Sequence, residues 1–213
     1  MVLIACRAAG RTVERAEQTK DCDVLVDICA RPTILARVVH HLRGFGFRSI
    51  EPFSGGEAGR CTFVDESGGG QIHVLCPDDA DPSELDSVDG VQSLAIPGGR
   101  RALELSEKAL VIFSEDTQDL VVRVPLLPGA IVVKAAAAVD ARTSGQDRHI
   151  QDVANMLSVL EEPLRTRENL SETDRKLVSR LRTRLEDDGD VAWDRFSYES
   201  RLAARAAFDL LIG

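Results

Sequence analysis

Thr19-Lys20-Asp21-Cys22-Asp23 runs straight into Val24-Leu-Val-Asp-Ile28, a polar doublet opening an apolar run. The run 23–28 predicts a strand too apolar for an exposed edge. Alternate residues of a strand share a face, so Asp21 and Asp23 can present two carboxylates side by side at its leading end. Close carboxylates repel, and a divalent cation relieves that repulsion. Mg2+ is typically held by one or two carboxylates plus substrate phosphates, and Mn2+ is a close substitute. Phosphoryl and nucleotidyl transfer need such an ion to neutralise charge building on the phosphate. Alone, the doublet also reads as a solvated strand entrance, and that reading stays open.

Around this stretch the hydrophobic period sets the layout. Residues 2–6 read as a first strand and 7–17 as a short helix. Pro32 sits at a first helical position, and Ile34, Leu35, Val38, Val39 and Leu42 recur at helical spacing until Gly44 and Gly46 end the run. Strands are expected near 48–50, 60–64, 71–76, 91–96, 102–113 and 120–124, with Gly68-Gly69-Gly70 as a hairpin turn. The stretch 77–90 is acidic and turn-rich, a surface loop on composition. From Leu126 the period becomes helical. One helix carries Lys134, a second carries Arg148 and Asp152, and Ser171-Glu-Thr-Asp174 reads as a capping box opening a charged helix to about Glu186. Residues 190–212 read as a final amphipathic helix. A sheet followed by helices is an α+β layout: an α/β core over 1–125 and a helical region over 126–213 packed on it.

The bulk numbers bound the function. With 213 residues, 44% of them hydrophobic, the chain can bury a sizeable core. No apolar run approaches the ~18 residues of a membrane span. Five cysteines form an odd set without CxxC spacing, which disfavours a disulfide framework and a zinc site. Free thiols in a reducing cytoplasm are the expected state. A net charge of −9 argues against a broad nucleic-acid-coating surface but leaves room for a local basic patch.

The order of motifs resembles the nucleotidyltransferase superfamily, and within it the AbiEii-like branch that includes toxins of type IV toxin–antitoxin systems. The resemblance rests on Thr19-x-Asp21-x-Asp23 entering a strand, then Ile72-His73-Val74-Leu75-Cys76-Pro77, Ile96-Pro97-Gly98-Gly99 and Ala102-Leu103. Leu127-Pro-Gly-Ala-Ile-Val-Val-Lys134 and Arg148-His149-Ile-Gln-Asp152 complete it, over roughly residues 1–160. It implies a nucleotidyltransferase-like mixed sheet with flanking helices, a nucleoside triphosphate as donor and an RNA acceptor such as the 3′ end of tRNA. An antitoxin protein is an implied partner.

Carried over residue by residue, the resemblance makes Asp21 and Asp23 metal ligands and places Thr19 at the nucleotide. Lys134 would contact the nucleotide phosphates, Asp152 would lie near the active cleft, and Arg142 and Arg148 would be further phosphate contacts. The residues themselves allow a snorkelling Lys134 and an Asp152 paired with Arg148, four positions earlier.

Two positions depart from the family. Gly-Gly or Gly-Ser normally ends the first strand, where this chain has Ala5-Cys6. A carboxylate often stands where this chain has His73, which alternates with Ile72 and Val74 and so should face the aspartates. Imidazole accepts a proton or ligates a transition metal but is a poor Mg2+ ligand. A partly buried histidine bonded to a neighbouring strand is the plainer reading. A catalytically degenerate nucleotide-binding or protein-interaction module is the functional alternative.

Other features are weaker. Cys22, between the aspartates, should point to the core as a packed thiol. His40 and His41 are adjacent on a helix and face different directions, so a shared metal is not expected. Arg165, Arg167, Arg175, Lys176, Arg180, Arg182 and Arg184 form either an RNA-binding strip or, with interleaved acids, a solvated helix face.

Overall fold

The computed structural model describes Cys6, Gly10 and residues 21–50, 62–65, 69–80, 93–111, 120–141, 145–194 and 196–213. These form a mixed α+β structure that divides into two compact units: Gln18–Arg100, and Met1–Glu17 with Arg101–Gly213.

In the first unit, β1 (Asp21–Leu25) leads to α1 (Ile34–Gly44) and then β2 (Phe47–Ser49), β3 (Thr62–Asp65), β4 (Gln71–Pro77) and β5 (Leu94–Ile96). The sheet order is β1-β4-β3-β2, with β1 parallel to β4 and the β4-β3-β2 pairings antiparallel. β5 pairs in parallel with the last three residues of β4. Leu75 faces Leu25 on one side, so β5 takes over from β3 on the other. Among the described residues β1 therefore closes one side of the sheet. Its apolarity is explained by α1: Val26, Ile28, Phe63, Val74 and Cys76 form a core with Leu35 and Val39. Each such fully buried side chain contributes about 1.5–3 kcal/mol, enough to hold a helix of this length that would be marginal alone. Gly46, at φ +82°, turns the chain from α1 into β2.

Cys22 is exposed, contrary to expectation. It lies on the core-facing alternation of β1, but the core begins only with the partly buried Val24, two residues further along the strand.

Where a strand over 102–113 is expected, the chain forms α2 (Gly99–Glu104) and then β6 (Ser106–Val111). Gly98, at φ +78°, reverses the chain after β5 and donates its N–H to Asp78 Oδ2 at 3.2 Å. Arg100 then reaches Asp27 at 3.0 Å and Asp79 at 2.8 Å, pinning the start of the helix. A Cβ on Gly99 would lie 3.0 Å from Pro77 Cα, so this close approach needs glycine.

In the second unit, β6 pairs antiparallel with β7 (Leu120–Pro125). The helices follow: α3 (Leu127–Val139), α4 (Gln146–Ser158), α5 (Pro163–Asn169), α6 (Glu172–Ser179), α7 (Arg182–Glu186), a 3-10 turn (Val191–Trp193) and α8 (Tyr198–Ile212). α3 is apolar on all sides and is buried almost throughout, with α4 and α8 completing the core. A Cβ on Gly129 would lie 3.2–3.3 Å from Ala102 and Leu105, so glycine lets α3 pack closely against them.

Cys6 is helical and fully buried in this core, so the first strand expected at 2–6 does not include it. The capping box at Ser171 forms as read, with Asp174 bonding back to the Ser171 N–H at 2.9 Å. The charged helix it opens breaks at Arg180-Leu181 into α6 and α7. The final helix is likewise divided, because Asp190 caps the 3-10 turn and Ser197 caps α8.

Candidate functional site

In the first unit the parallel pairing of β1 with β4 places Asp23 opposite His73 and Asp21 opposite Gln71. Register partners in parallel strands share a face, so His73 lies on the face of Asp23 and away from the α1 core. β3 adds Thr62 beside His73 on that face. Asp23 is exposed, and His73 is half-buried with its Nε2 atom enclosed and lacking a hydrogen-bond partner. An enclosed, unsatisfied ring nitrogen is costly, and such atoms mark sites of proton transfer or ligation. His73 thus shares the face of Asp23, and among the described residues its Nε2 makes no bond to a neighbouring strand.

The donor set bears on the implied ion. Among the described residues no three His, Cys, Asp or Glu side chains gather as a metal cluster. Two carboxylates from one strand with substrate phosphates suffice for Mg2+ without such a cluster. The backbone of Asp21 holds the alternate position two residues before Asp23. The backbone alternation of Asp21 and Asp23 is compatible with this requirement, and an imidazole nitrogen on the same face would suit Mn2+ better than Mg2+.

In the second unit Lys134, on α3, forms an ion pair with Asp152 on α4 at 2.8 Å. The lysine side chain is 12% exposed and the aspartate 19%. His149 brings Nδ1 to 3.5 Å from Lys134 Nζ. Lys134 therefore does not snorkel, and the partner of Asp152 is Lys134 rather than Arg148, which is exposed one turn earlier. Positions 149 and 152 lie three apart on α4 and share the side facing Lys134. Burial and the nearby Asp152 charge push the Cys6 thiol up to about 11. Cys6 is accordingly a protonated core thiol in the place where the family resemblance calls for a phosphate-cradling glycine.

Thr19, Arg142 and Ala5 lie outside the described residues. Four of the seven basic residues at 165–184 are neutralised by ion pairs. Arg165 pairs with Glu162, Lys176 with Glu172, Arg182 with Glu186, and Arg184 with Asp147 and Asp190. The solvated-face reading is the one these pairs support. His40 and His41 meet edge-on with ring centroids 5.8 Å apart. Sequence reasoning missed the His149 contact with Lys134, although the spacing of His149 and Asp152 carried the signal. No helix among the described residues is long and apolar enough to cross a membrane.

Comparison of the chain with protein-family models, with curated proteins and with solved structures finds no match in any of the three.

Proposed function

We propose that the chain is a metal-dependent nucleotidyltransferase that moves a nucleoside monophosphate from a nucleoside triphosphate to a hydroxyl, with RNA, such as the 3′ end of tRNA, as acceptor. The observation that carries this reading is the register of β1 and β4, which sets His73, with its unpartnered Nε2, beside Asp23 on the sheet face away from α1. The acceptor oxygen attacks the α-phosphorus, a new P–O bond forms, and the bond to pyrophosphate breaks. In this reading His73 takes the hydroxyl proton. Asp21 and Asp23 hold the divalent ion, which when bound neutralises charge on the phosphate oxygens. The resemblance also names Lys134 as a phosphate contact, and within its own unit Asp152 holds it by an ion pair. Resemblance to the toxin branch adds an antitoxin protein as partner.

The test is incubation with labelled nucleoside triphosphates, Mg2+ or Mn2+ and total tRNA. Label transfer lost in Asp21→Ala/Asp23→Ala supports the reading. No transfer with either metal, or transfer equal in wild type and variant, defeats it.

A second reading has its own observation. Lys134 is already neutralised by Asp152 and is largely enclosed, which suits a module that has kept the fold and lost turnover. Tight nucleotide binding by calorimetry without transfer would favour that reading, and robust transfer would end it.

A further inference from the structure

Residues 28–50 contain four arginines, Arg31, Arg37, Arg43 and Arg48, and no acidic residue, in a chain whose net charge is −9. Two of these, Arg37 and Arg43, lie on the outward side of α1, and Arg48 follows Phe45 onto the opposite face of the sheet. The exposed residues of α1 are Ala36, Arg37, His40, His41, Arg43 and Gly44, so its whole outward side is cationic, imidazole or small. Among the described residues Arg31, Arg37 and Arg48 enter no ion pair, unlike Arg165, Arg182 and Arg184. Directly after α1 comes Phe45, 78% exposed and the most exposed of the large hydrophobic side chains among the described residues.

Topology places this surface relative to the aspartates. β1 runs away from Asp21, and α1 returns toward the end of the sheet where β1 begins. β2 starts there, and the register row Arg48–Val64–Gln71–Asp21 crosses the sheet at that end. Three interstrand steps separate Arg48 from Asp21, about 14 Å. Arg48 stands on the sheet face opposite the Phe47 side that packs on the core, which is the face of Asp23.

We propose that the outward side of α1, with Phe45 and Arg48, binds the phosphate backbone of a single-stranded nucleic acid and leads its end toward Asp23. Guanidinium groups grip phosphates in pairs of hydrogen bonds, and unpaired arginines give up no internal partner to do so. An exposed aromatic ring at the end of a cationic track is a stacking platform for an unpaired base. A membrane surface is the poorer fit, because the apolar positions Leu35 and Val39 are buried in the core and leave no face to insert. The role in transfer rests on the reading above; the binding itself does not.

Fluorescence anisotropy with a short labelled single-stranded RNA tests the surface. Binding should weaken with salt at a log–log slope of about −1.4 to −2, for two or three phosphates released. Arg37→Glu/Arg43→Glu should weaken it at least tenfold and Phe45→Ala about fivefold or more, the lower end of the stacking range. All three positions are exposed, and circular dichroism verifies that each variant folds. Reversal of Arg165 and Arg167 should leave binding unchanged. Absence of binding at low salt overturns the proposal, as does indifference to the α1 substitutions. Loss through Arg165 and Arg167 instead, equal affinity for duplex RNA, or binding only to phosphatidylserine vesicles also overturns it. RNA binding without nucleotide transfer leaves this surface standing and counts against the catalytic reading. Transfer to RNA that ignores the α1 charges does the reverse.

Discussion

Asp23 and His73 are register partners across the parallel strands β1 and β4, and His73 Nε2 is enclosed with no hydrogen-bond partner. A carboxylate beside an imidazole is a different ligand environment from two or three carboxylates. Nitrogen donors favour Mn2+ and later transition metals, whereas Mg2+ demands oxygen. Mn2+ should therefore bind wild-type protein more tightly than Mg2+, with His73→Asp raising Mg2+ affinity by about tenfold, or ~1.4 kcal/mol. Calorimetric titration of the metals alone reads this without reference to activity. Equal Mg2+ affinity in wild type and His73→Asp would remove His73 from the metal's surroundings.

The Lys134–Asp152 pair lies between the exposed and fully buried limits, so its loss should be felt in stability as well as in ligand binding. Lys134→Met leaves Asp152 without its 2.8 Å partner, and Asp152→Leu does the same to Lys134. Each should cost about 1–3 kcal/mol, with the double variant recovering part of the sum. Urea denaturation of the four proteins closes the cycle. Additive losses would mean that the two charges are independently solvated. If the lysine also binds phosphate, nucleotide affinity falls in Lys134→Met far more than in the destabilised but lysine-bearing Asp152→Leu.

Much of this arrangement could be read from residue order, for local reasons. Alternation along 21–25 placed the aspartates on one face, the helical recurrence of Leu35 and Val39 marked the α1 core, and Ser171 with Asp174 announced a cap that forms. What escaped was non-local. Cys6 belongs to a helical core whose other members come from 127–211, which the apolar run ending at Cys6 does not reveal. Residues 99–104 turned helical because Arg100 finds Asp27 and Asp79, contacts that span 73 and 21 positions. β1 looked central because α1 demands apolar side chains of it, and a strand at the end of the described sheet beneath a helix carries the same pattern. Lys134 and Asp152 were named separately as site candidates, but only the packing of α3 on α4 shows that they neutralise each other.

The thiols should react in the order of their exposure. Cys22 is exposed, whereas Cys6 and Cys76 are buried. Alkylation at pH 8 followed by peptide mass spectrometry should label Cys22 first and leave Cys6 and Cys76 protected until the protein unfolds. Burial of Cys6 also acts on stability at alkaline pH. Folded Cys6 keeps its proton to about pH 11, while the ordinary thiol releases it near 9.0. Its contribution is complete below pH 9 and is lost as pH rises toward 11, so Cys6→Ala should flatten the alkaline decline in Tm. Rapid labelling of Cys6 in folded protein would contradict its burial.

Asp190 joins α7 to the turn before α8. Its carboxylate meets Arg184 Nε at 2.8 Å and accepts the Ala192 N–H at 2.8 Å. Burial opposes ionisation, but the Arg184 and Ala192 hydrogen bonds outweigh it and hold the carboxyl below its ordinary value of 3.8. A depressed value means that the folded state prefers the anion, so this stabilisation is present at neutral pH and disappears as the solution is acidified through the folded value. Asp190→Asn keeps an oxygen for the Ala192 N–H and removes the charge facing Arg184. At pH 7 it should cost roughly 1.5–3 kcal/mol, the usual range for a hydrogen bond to a charged group. The gap to wild type should narrow below pH 3.8 and close where Asp190 is protonated in both states. Guanidinium chloride melts would also screen the pair, so urea melts across pH are the suitable measurement. A gap that is constant with pH would show that the amide fails for its shape and not for its lost charge.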